Sequence, residues 1–451
     1  LRTTTRVSHL RGPVTYGPLP EKAAPVVPFQ RDPMRFVPVP AVSRRRHHAL
    51  VANLESARAR AESSPWNSES GAGKFGIIAS GMARAYLRDV LFAEGWQDDV
   101  RVLELGFSWP LPMQRIETFI KSVDSLLILE ESEPLAEREI RAFLQERRTE
   151  AGLDLPVFGK GGPLTVFGEY SVPLLREALA GFLGKTPAPA LRCAAPSDEL
   201  PGRPPNLCAG CAHRAVYYSV RKVFGDDAIY SSDIGCYTLG MIPPLSTADF
   251  LFCMGSSISA GSGFARASGK TVLAFIGDST FFHSGMTGLV NAVFNKHDLL
   301  VVILDNGTTA MTGHQPNPGV DQCLLGDDCV HLDIESVVRG CGVTEVRKVR
   351  PNNVKATMQA LEDMKAKRGV RVIIAEEPCV LFARRALKKK RGATVEVTEQ
   401  GAATQQAARE LACPAFVQKD GIVSVDEASC AGCMVCLQLA PGFKARKKES
   451  A

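Results

Sequence analysis

TVLAFIGDSTFFHSGMTGLVNAVFNKHDLLVVILDNGTT, residues 271–309, decides the fold. It holds two short apolar runs, TVLAFIG and LLVVIL, with the length and β-branched content of buried strands. Each run stops at a polar turn: Gly277-Asp278-Ser279 after the first, Asp305-Asn306-Gly307 after the second. The intervening FFHSGMTGLVNAVFNKH is long enough for the crossover helix that joins parallel neighbours, so the segment is predicted to be one βαβ unit. Its strand ends then lie side by side, and Asp278 and Asn306 face one site.

Outward from this unit, AIYSSDIG (228–235), FLFCMG (250–255) and VRVIIAEE (370–377) read as further buried strands, ending where an open parallel sheet places its ligands. The prediction is a doubly wound parallel α/β domain over 207–392. The repeated prolines of KTPAPALRCAAPSDELPGRPPN (185–206) forbid regular helix and make 187–206 a linker. Before it, GIIAS (76–80), RVLELG (101–106) and SLLILEE (125–131) alternate with helical stretches near 82–94, 112–123 and 134–147, which predicts a second α/β domain with a parallel sheet over 74–186. Glu130, Glu131 and Glu133 read as its solvated strand end. GKGG (159–162) lacks the remaining residues of a phosphate-binding loop, so no nucleotide site is expected there. Residues 1–73 read as a connector with a polar helix near 45–63. Residues 393–451 lack such strands, collect cysteines and read as a small metal module.

The 451 residues exceed one hydrophobic core, and 45% hydrophobic with 22% charged residues is a globular composition. LLVVIL is far too short to span a bilayer, so no membrane segment is expected. The net charge of +5 is mild, and the basic runs 44–46, 388–391 and 444–448 lack interleaved aromatics, which argues against nucleic acid. Thirteen cysteines, an odd number partly grouped as CxxC, argue against a secreted disulfide framework and for a reducing, cytoplasmic compartment.

Mg²⁺ requires an octahedron of hard oxygens. The Asp278 carboxylate, the Asn306 amide oxygen and a nearby backbone carbonyl would leave positions for two diphosphate oxygens and a water. Gly277 allows backbone to approach a phosphate. The arrangement resembles the thiamine-diphosphate signature, GDG followed some two dozen residues later by NN, with Ser279 for the second Gly and Asp305 for the first Asn.

NLCAGCAHR (206–214), SSDIGCYTLG (231–240), CMGSSISAG (253–261), NGTTAMTGHQPNPG (306–319) and IIAEEPCVLFARR (373–385) resemble the 2-oxoacid:ferredoxin oxidoreductases, most closely the indolepyruvate-type α subunit. That resemblance implies thiamine diphosphate and Mg²⁺ as cofactors. It implies Thr308 as the backbone carbonyl ligand, the backbone of Gly235-Cys236 and Gly255-Ser256 beside the cofactor, and His213 near the diphosphate. It also implies that residues 74–186 are transketolase C-terminal-like and serve packing. LRTTTRVSH resembles the tail of a preceding pyrimidine-side domain, expected to be missing here and to supply ring activation from elsewhere.

Cys208 and Cys211 have no partner pair at zinc-finger spacing, so a CxxCxH turn beside the cofactor is expected. Cys236 is read either as tuning the thiazolium ring or as a small buried hydrophobe. Cys193, Cys253, Cys323, Cys329, Cys341 and Cys379 are read as inert thiols. His283 and His314 are placed in loops bordering the cofactor, as surface histidines or as proton shuttles.

In the tail, Cys430, Cys433 and Cys436 have the CxxCxxC spacing of bacterial ferredoxins, and Cys413-Pro414 supplies the distant fourth ligand. The complementary positions, Ala402, Gln405, Ala408 and Ala440, are all non-ligands. A ferredoxin-like module with one 4Fe-4S cluster is therefore predicted. The resemblance implies oxidative decarboxylation of an aryl 2-oxoacid, with coenzyme A and ferredoxin as acceptors, a β subunit as partner and a homo- or hetero-oligomeric state. Two alternatives stay open: a non-oxidative decarboxylase, and an electron-transfer or scaffold chain catalytic only with a separate polypeptide.

Overall fold

The computed structural model describes residues 4–19, 28–189, 204–321, 323–324, 326, 329–388 and 392–447. Cys193, most of the expected linker, residues 389–391 and Lys448 lie outside the described residues. The chain divides into two compact units, Leu1–Asp198 and Glu199–Ala451. No helix among the described residues is long and apolar enough to cross a membrane.

In the first unit the expected polar helix runs over Pro40–Glu62, with proline in its first turn and only Val42 and Ala61 buried. Five strands follow: β1 (Asn67–Ser70), β2 (Phe75–Ser80), β3 (Val100–Leu105), β4 (Ser125–Leu129) and β5 (Val157–Phe158), in sheet order β1-β3-β2-β4-β5. β2 to β5 are parallel, but β1 runs antiparallel on β3, so the sheet is mixed rather than parallel throughout. The polar edge sequence NSES, with one residue buried, carries no apolar pattern that could have announced it.

Glu130 differs from the solvated strand end expected of it. It is 3% exposed and accepts the backbone N–H groups of Ala136 (3.1 Å) and Glu137 (2.8 Å), capping helix Leu135–Ala151. GKGG is occupied by the unit's own bonds: the Lys160 amide donates to Glu137 Oε2 (2.8 Å) and its ammonium to Tyr170 Oη (2.6 Å).

The second unit is built on β6 (Ile229–Ser231), β7 (Val272–Gly277), β8 (Leu299–Asp305), β9 (Glu345–Val349) and β10 (Val370–Glu376), all parallel, in the order β6-β7-β8-β10-β9. Both faces are covered. Leu273, Phe275, Leu300 and Val302 enter one core, whereas Val272, Ala274, Val301 and Ile303 enter the other. This period-2 division of continuous apolar runs is what a sheet sandwiched between helix layers requires. Gly277 pairs with Leu304, so Asp278 and Asp305 emerge together at the carboxyl ends of two neighbouring strands. FLFCMG, expected as a strand, is not one. Phe250 makes an isolated bridge to Ser231 and stacks on Phe264 at 4.2 Å, and the run ends in left-handed Gly255.

The tail packs into this same unit and does carry strands. β11 (Ala393–Val397) pairs antiparallel with β14 (Phe443–Lys447), and β12 (Phe416–Lys419) with β13 (Ile422–Val425). These two-stranded ribbons are too short and half-exposed to show as apolar runs. Helix Ala402–Leu411 covers the positions where a second cysteine triplet was sought, and Ala408 and Ala440 there are buried among Leu411, Cys430 and Cys436.

Candidate active site

β7 and β8 present the two central side chains. Asp278 begins the first turn after β7 and is 3% exposed; Asn306 follows β8 and is 9% exposed. Burial, then the neighbouring Asp305 carboxylate, push the Asp278 carboxyl up to about 7. Asp305 is itself raised by burial. Two acids in one buried corner favour a cation, since each raises the cost of ionising the other. Asn306 Oδ1 accepts the Thr308 amide at 3.1 Å, and its Nδ2 faces His213 Nε2 at 3.5 Å. His213 is buried, and burial holds it down to about 4, so it is neutral at pH 7 and can accept from Asn306. Thr308 is 2% exposed and its Oγ1 has no hydrogen-bond partner among the described residues. This buried, polar and incompletely satisfied corner fits a divalent cation with a diphosphate.

One cavity is lined by Gly235, Gly277, Asp278, Ser279, Asn306 and Thr308, with Met254 and Met311. Ser279 Oγ accepts from Thr309 Oγ1 at 2.8 Å, joining the two strand-end loops. Gly255 and Ser256 lie just past this lining. The Ser256 hydroxyl donates to Cys253 O at 2.6 Å rather than facing the cavity. Gly277 also makes room for a ring: a Cβ there would meet Tyr237, whose hydroxyl donates to Thr280 Oγ1 at 3.0 Å.

A second cavity adjoins through Cys236, Asn306 and Ala310. It gathers His213 and His314 with four cysteines: Cys208, Cys211, Cys236 and Cys379. Burial raises the Cys208 and Cys236 thiols and pushes Cys211 up to about 12, with Cys208 and Cys379 as interacting neighbours. Cys379, expected to be inert, is brought here because its amide donates to Asn306 O at 2.9 Å across the ends of β8 and β10. His314 has positive φ, stacks on Phe382 and leaves its Nδ1 without a partner among the described residues. His283 is exposed in a helical turn, not a loop, bonded through Nδ1 to Ser284 Oγ at 3.0 Å, and lines neither cavity.

Cys413, Cys430, Cys433 and Cys436 share one core, and each of the other three raises the Cys436 thiol after burial has done so, up to about 12. Among the described residues no three His, Cys, Asp or Glu side chains converge on a single metal ion. The two thiol groups are neighbours, because a Cβ on left-handed Gly210 would meet the Ala431 side chain.

Sequence reasoning missed two residues. Asn317 is 9% exposed and donates from Nδ2 to Asp278 Oδ2 at 2.9 Å. Asp233 is fully buried, and its carboxylate accepts the amides of Ile234 (2.8 Å), Gly255 (2.9 Å) and Ser257 (3.0 Å), capping helix Ser256–Ser268 beside the cavity. Both lie inside quoted motifs, but a polar loop residue carries no spacing signal of its own.

Residues 233–375 match the family model described as thiamine pyrophosphate enzyme, C-terminal TPP binding domain. The match begins at Asp233 and spans both cavities' strand-end residues Asp278 and Asn306. The chain is 42% identical to the indolepyruvate oxidoreductase subunit IorA of Methanothermobacter thermautotrophicus, over 98% of this chain and 71% of that protein. It is 38% identical to the same subunit of Archaeoglobus fulgidus, with the same coverage. A sulfopyruvate decarboxylase of Methanosarcina acetivorans is 31% identical over 27% of this chain and 28% of its own. With its thiamine diphosphate-binding domain, the chain belongs to the indolepyruvate oxidoreductase IorA family.

Proposed function

We propose that the chain takes part in oxidative decarboxylation of aryl 2-oxoacids to acyl-coenzyme A, passing electrons through one 4Fe-4S cluster to ferredoxin. The carrying observation is that Asn306 lines both the cofactor cavity and the cavity of Cys208, Cys211, Cys236 and Cys379, and that the Cys208–Cys211 turn packs on the Cys430–Cys433 loop. A route for electrons from cofactor to tail is thereby available.

Thiamine diphosphate, when bound, supplies the nucleophilic carbon and the electron sink for loss of CO₂. Asp278, Asn306 and the Thr308 carbonyl would hold its Mg²⁺. Asn317 orients Asp278, while neutral His213 and the Thr308 amide orient Asn306. Gly235, Ser279 and Cys236 border the cofactor, and His213 and His314 supply polar nitrogens beside it. Cys413, Cys430, Cys433 and Cys436 would hold the cluster, their loop turning through left-handed Gly432 and Met434, a backbone pattern that points amides into an anion-binding concavity. The four cavity thiols offer the same ligand chemistry. Iron near four per chain supports the tail cluster alone, and near eight assigns the cavity set as well.

A partner β subunit and a pyrimidine-side domain complete the enzyme in this reading, and the reduced thiols suit the cytoplasm. Anaerobic turnover of several 2-oxoacids with coenzyme A, viologen and the partner subunit tests it: viologen reduction dependent on an aryl 2-oxoacid supports it. Aldehyde release without viologen reduction favours the second reading, a non-oxidative decarboxylase, to which the partial match with the sulfopyruvate decarboxylase lends weight.

A further inference from the structure

Arg214 is a buried cation whose counter-anion is not supplied by any carboxylate. It is 2% exposed. Its Nη1 donates to the carbonyls of Leu411 (3.0 Å) and Ala412 (2.7 Å), and its Nη2 to Leu207 O (2.6 Å) and Asn206 Oδ1 (3.0 Å). Its Nε has no partner, and among the described residues no Asp or Glu pairs with it. All four acceptors are neutral. A buried charge without an opposite charge is among the costliest arrangements in a protein. Nor does the position serve the helix. Arg214 stands in the first turn of Ala212–Phe224, where the helix dipole repels a cation.

The groups around the guanidinium that can carry negative charge are thiols: Cys413 and Cys433 on the tail side, Cys208 and Cys211 on the cavity side. A free thiol carries no charge. Bound to iron they are thiolates, and a cluster with four of them is anionic. The two carbonyls on Nη1 belong to the residues immediately before Cys413, with Ala412 in a left-handed conformation, so the guanidinium also fixes the approach of that ligand.

We propose that Arg214 is the counter-cation of the iron–sulfur centre held by the tail cysteines and sets its reduction potential. This rests on the reading that Cys413, Cys430, Cys433 and Cys436 hold a cluster. Reduction adds a negative charge beside the guanidinium, so the cation favours the reduced state, and net charge near a cluster is one of the properties that set its potential.

The test uses the full chain, reconstituted anaerobically with iron and sulfide, as wild type, Arg214→Gln and Arg214→Lys. Iron content and an EPR-monitored redox titration are read for each. The expected result is unchanged iron, a midpoint shifted to more negative potential in Arg214→Gln, and a near-native midpoint in Arg214→Lys. If Arg214→Gln loses the cluster while Arg214→Lys keeps it at native potential, the charge is again what matters and the proposal stands. Equal midpoints in all three proteins, or loss of the cluster from both variants, would overturn it and leave Arg214 a loop brace. Failure of wild type to take up iron is a different outcome, because it overturns the cluster reading itself.

Discussion

Asn317 Nδ2 donates to Asp278 Oδ2 at 2.9 Å, and Asn317 Oδ1 in turn accepts the Gly319 amide at 2.9 Å, so a loop amide pins a carboxylate at the end of a neighbouring strand. With one oxygen engaged, Asp278 has a fixed orientation toward the cavity. Removal of such an outer partner typically costs about 10- to 100-fold in metal affinity. Asn317→Ala is therefore expected to weaken Mg²⁺-dependent thiamine diphosphate binding by about that factor, and Asn317→Asp by more, through a third acid in the corner. Calorimetric titration of the cofactor at fixed Mg²⁺ measures this, and native affinity in both variants would show that Asp278 needs no support.

Gly277 and Tyr237 are coupled through space. Gly277→Ala places a methyl against the Tyr237 ring and is expected to cost about 1–3 kcal/mol, the range for overpacking. A smaller side chain at 237 should relieve the clash, so Gly277→Ala with Tyr237→Leu should cost less than the two single changes added, by about 0.5–3 kcal/mol. Urea unfolding of the four proteins gives the coupling, and strict additivity would refute the contact.

The sequence made the centre of the site readable because its signal is local. The runs into Asp278 and Asn306 are uninterrupted and their separation is that of a single crossover, so pairing β7 with β8 needed no information from elsewhere. Cys379 shows the converse. It joins Cys208, Cys211 and Cys236 only because β10 inserts between β8 and β9, an order that no spacing encodes. Glu130 was misread for a related reason: an acid after a strand looks solvated until the next helix is known to begin on top of it. The tail ribbons and the β1 edge were invisible because neither buries a full face.

Asp233 satisfies three backbone donors in a fully buried position. Its removal strands all of them, and each unsatisfied buried group costs about 1–3 kcal/mol. Asp233→Ala is expected to lose at least about 3 kcal/mol of stability. Asp233→Asn, which keeps one acceptor oxygen, should lose less and retain weakened thiamine diphosphate binding. Thermal unfolding with and without cofactor distinguishes them, and equal losses would mean that the cap is not held by the carboxylate.

Glu104 provides a pH dependence in the first unit. Burial raises its carboxyl, but hydrogen bonds and charge from Arg88 and Arg84 outweigh this and leave it below the ordinary value of 4.5. A depressed carboxyl contributes stability that is present above the unfolded-state value and disappears as pH falls through the folded-state value. Acid unfolding of Glu104→Gln is therefore expected to be less steep below pH 4.5 than that of wild type, from a lower plateau at neutral pH. Parallel acid limbs for the two proteins would show that the Arg84 and Arg88 pairs contribute nothing.

The two thiol sets can be separated by single substitutions, because one lines the cofactor-flanking cavity and the other packs in the tail core. Cys433→Ala removes one of the four thiols proposed to hold the tail cluster. Its neighbours Cys430 and Cys436 are buried in the tail core, so the loop keeps its packing while one of the four proposed ligands is lost. The expected outcome is loss of about four iron atoms per chain and of the associated charge-transfer absorbance, with thiamine diphosphate affinity unchanged. Cys379→Ala acts on the other side, where the residue's amide bonds Asn306 O and its thiol lines the cofactor-flanking cavity. It should leave the tail iron in place while altering the circular dichroism of bound cofactor. If Cys433→Ala abolished cofactor binding, or Cys379→Ala emptied the tail, the two sets would be one cooperative unit, and a stepwise passage of electrons from cavity to tail could not be maintained.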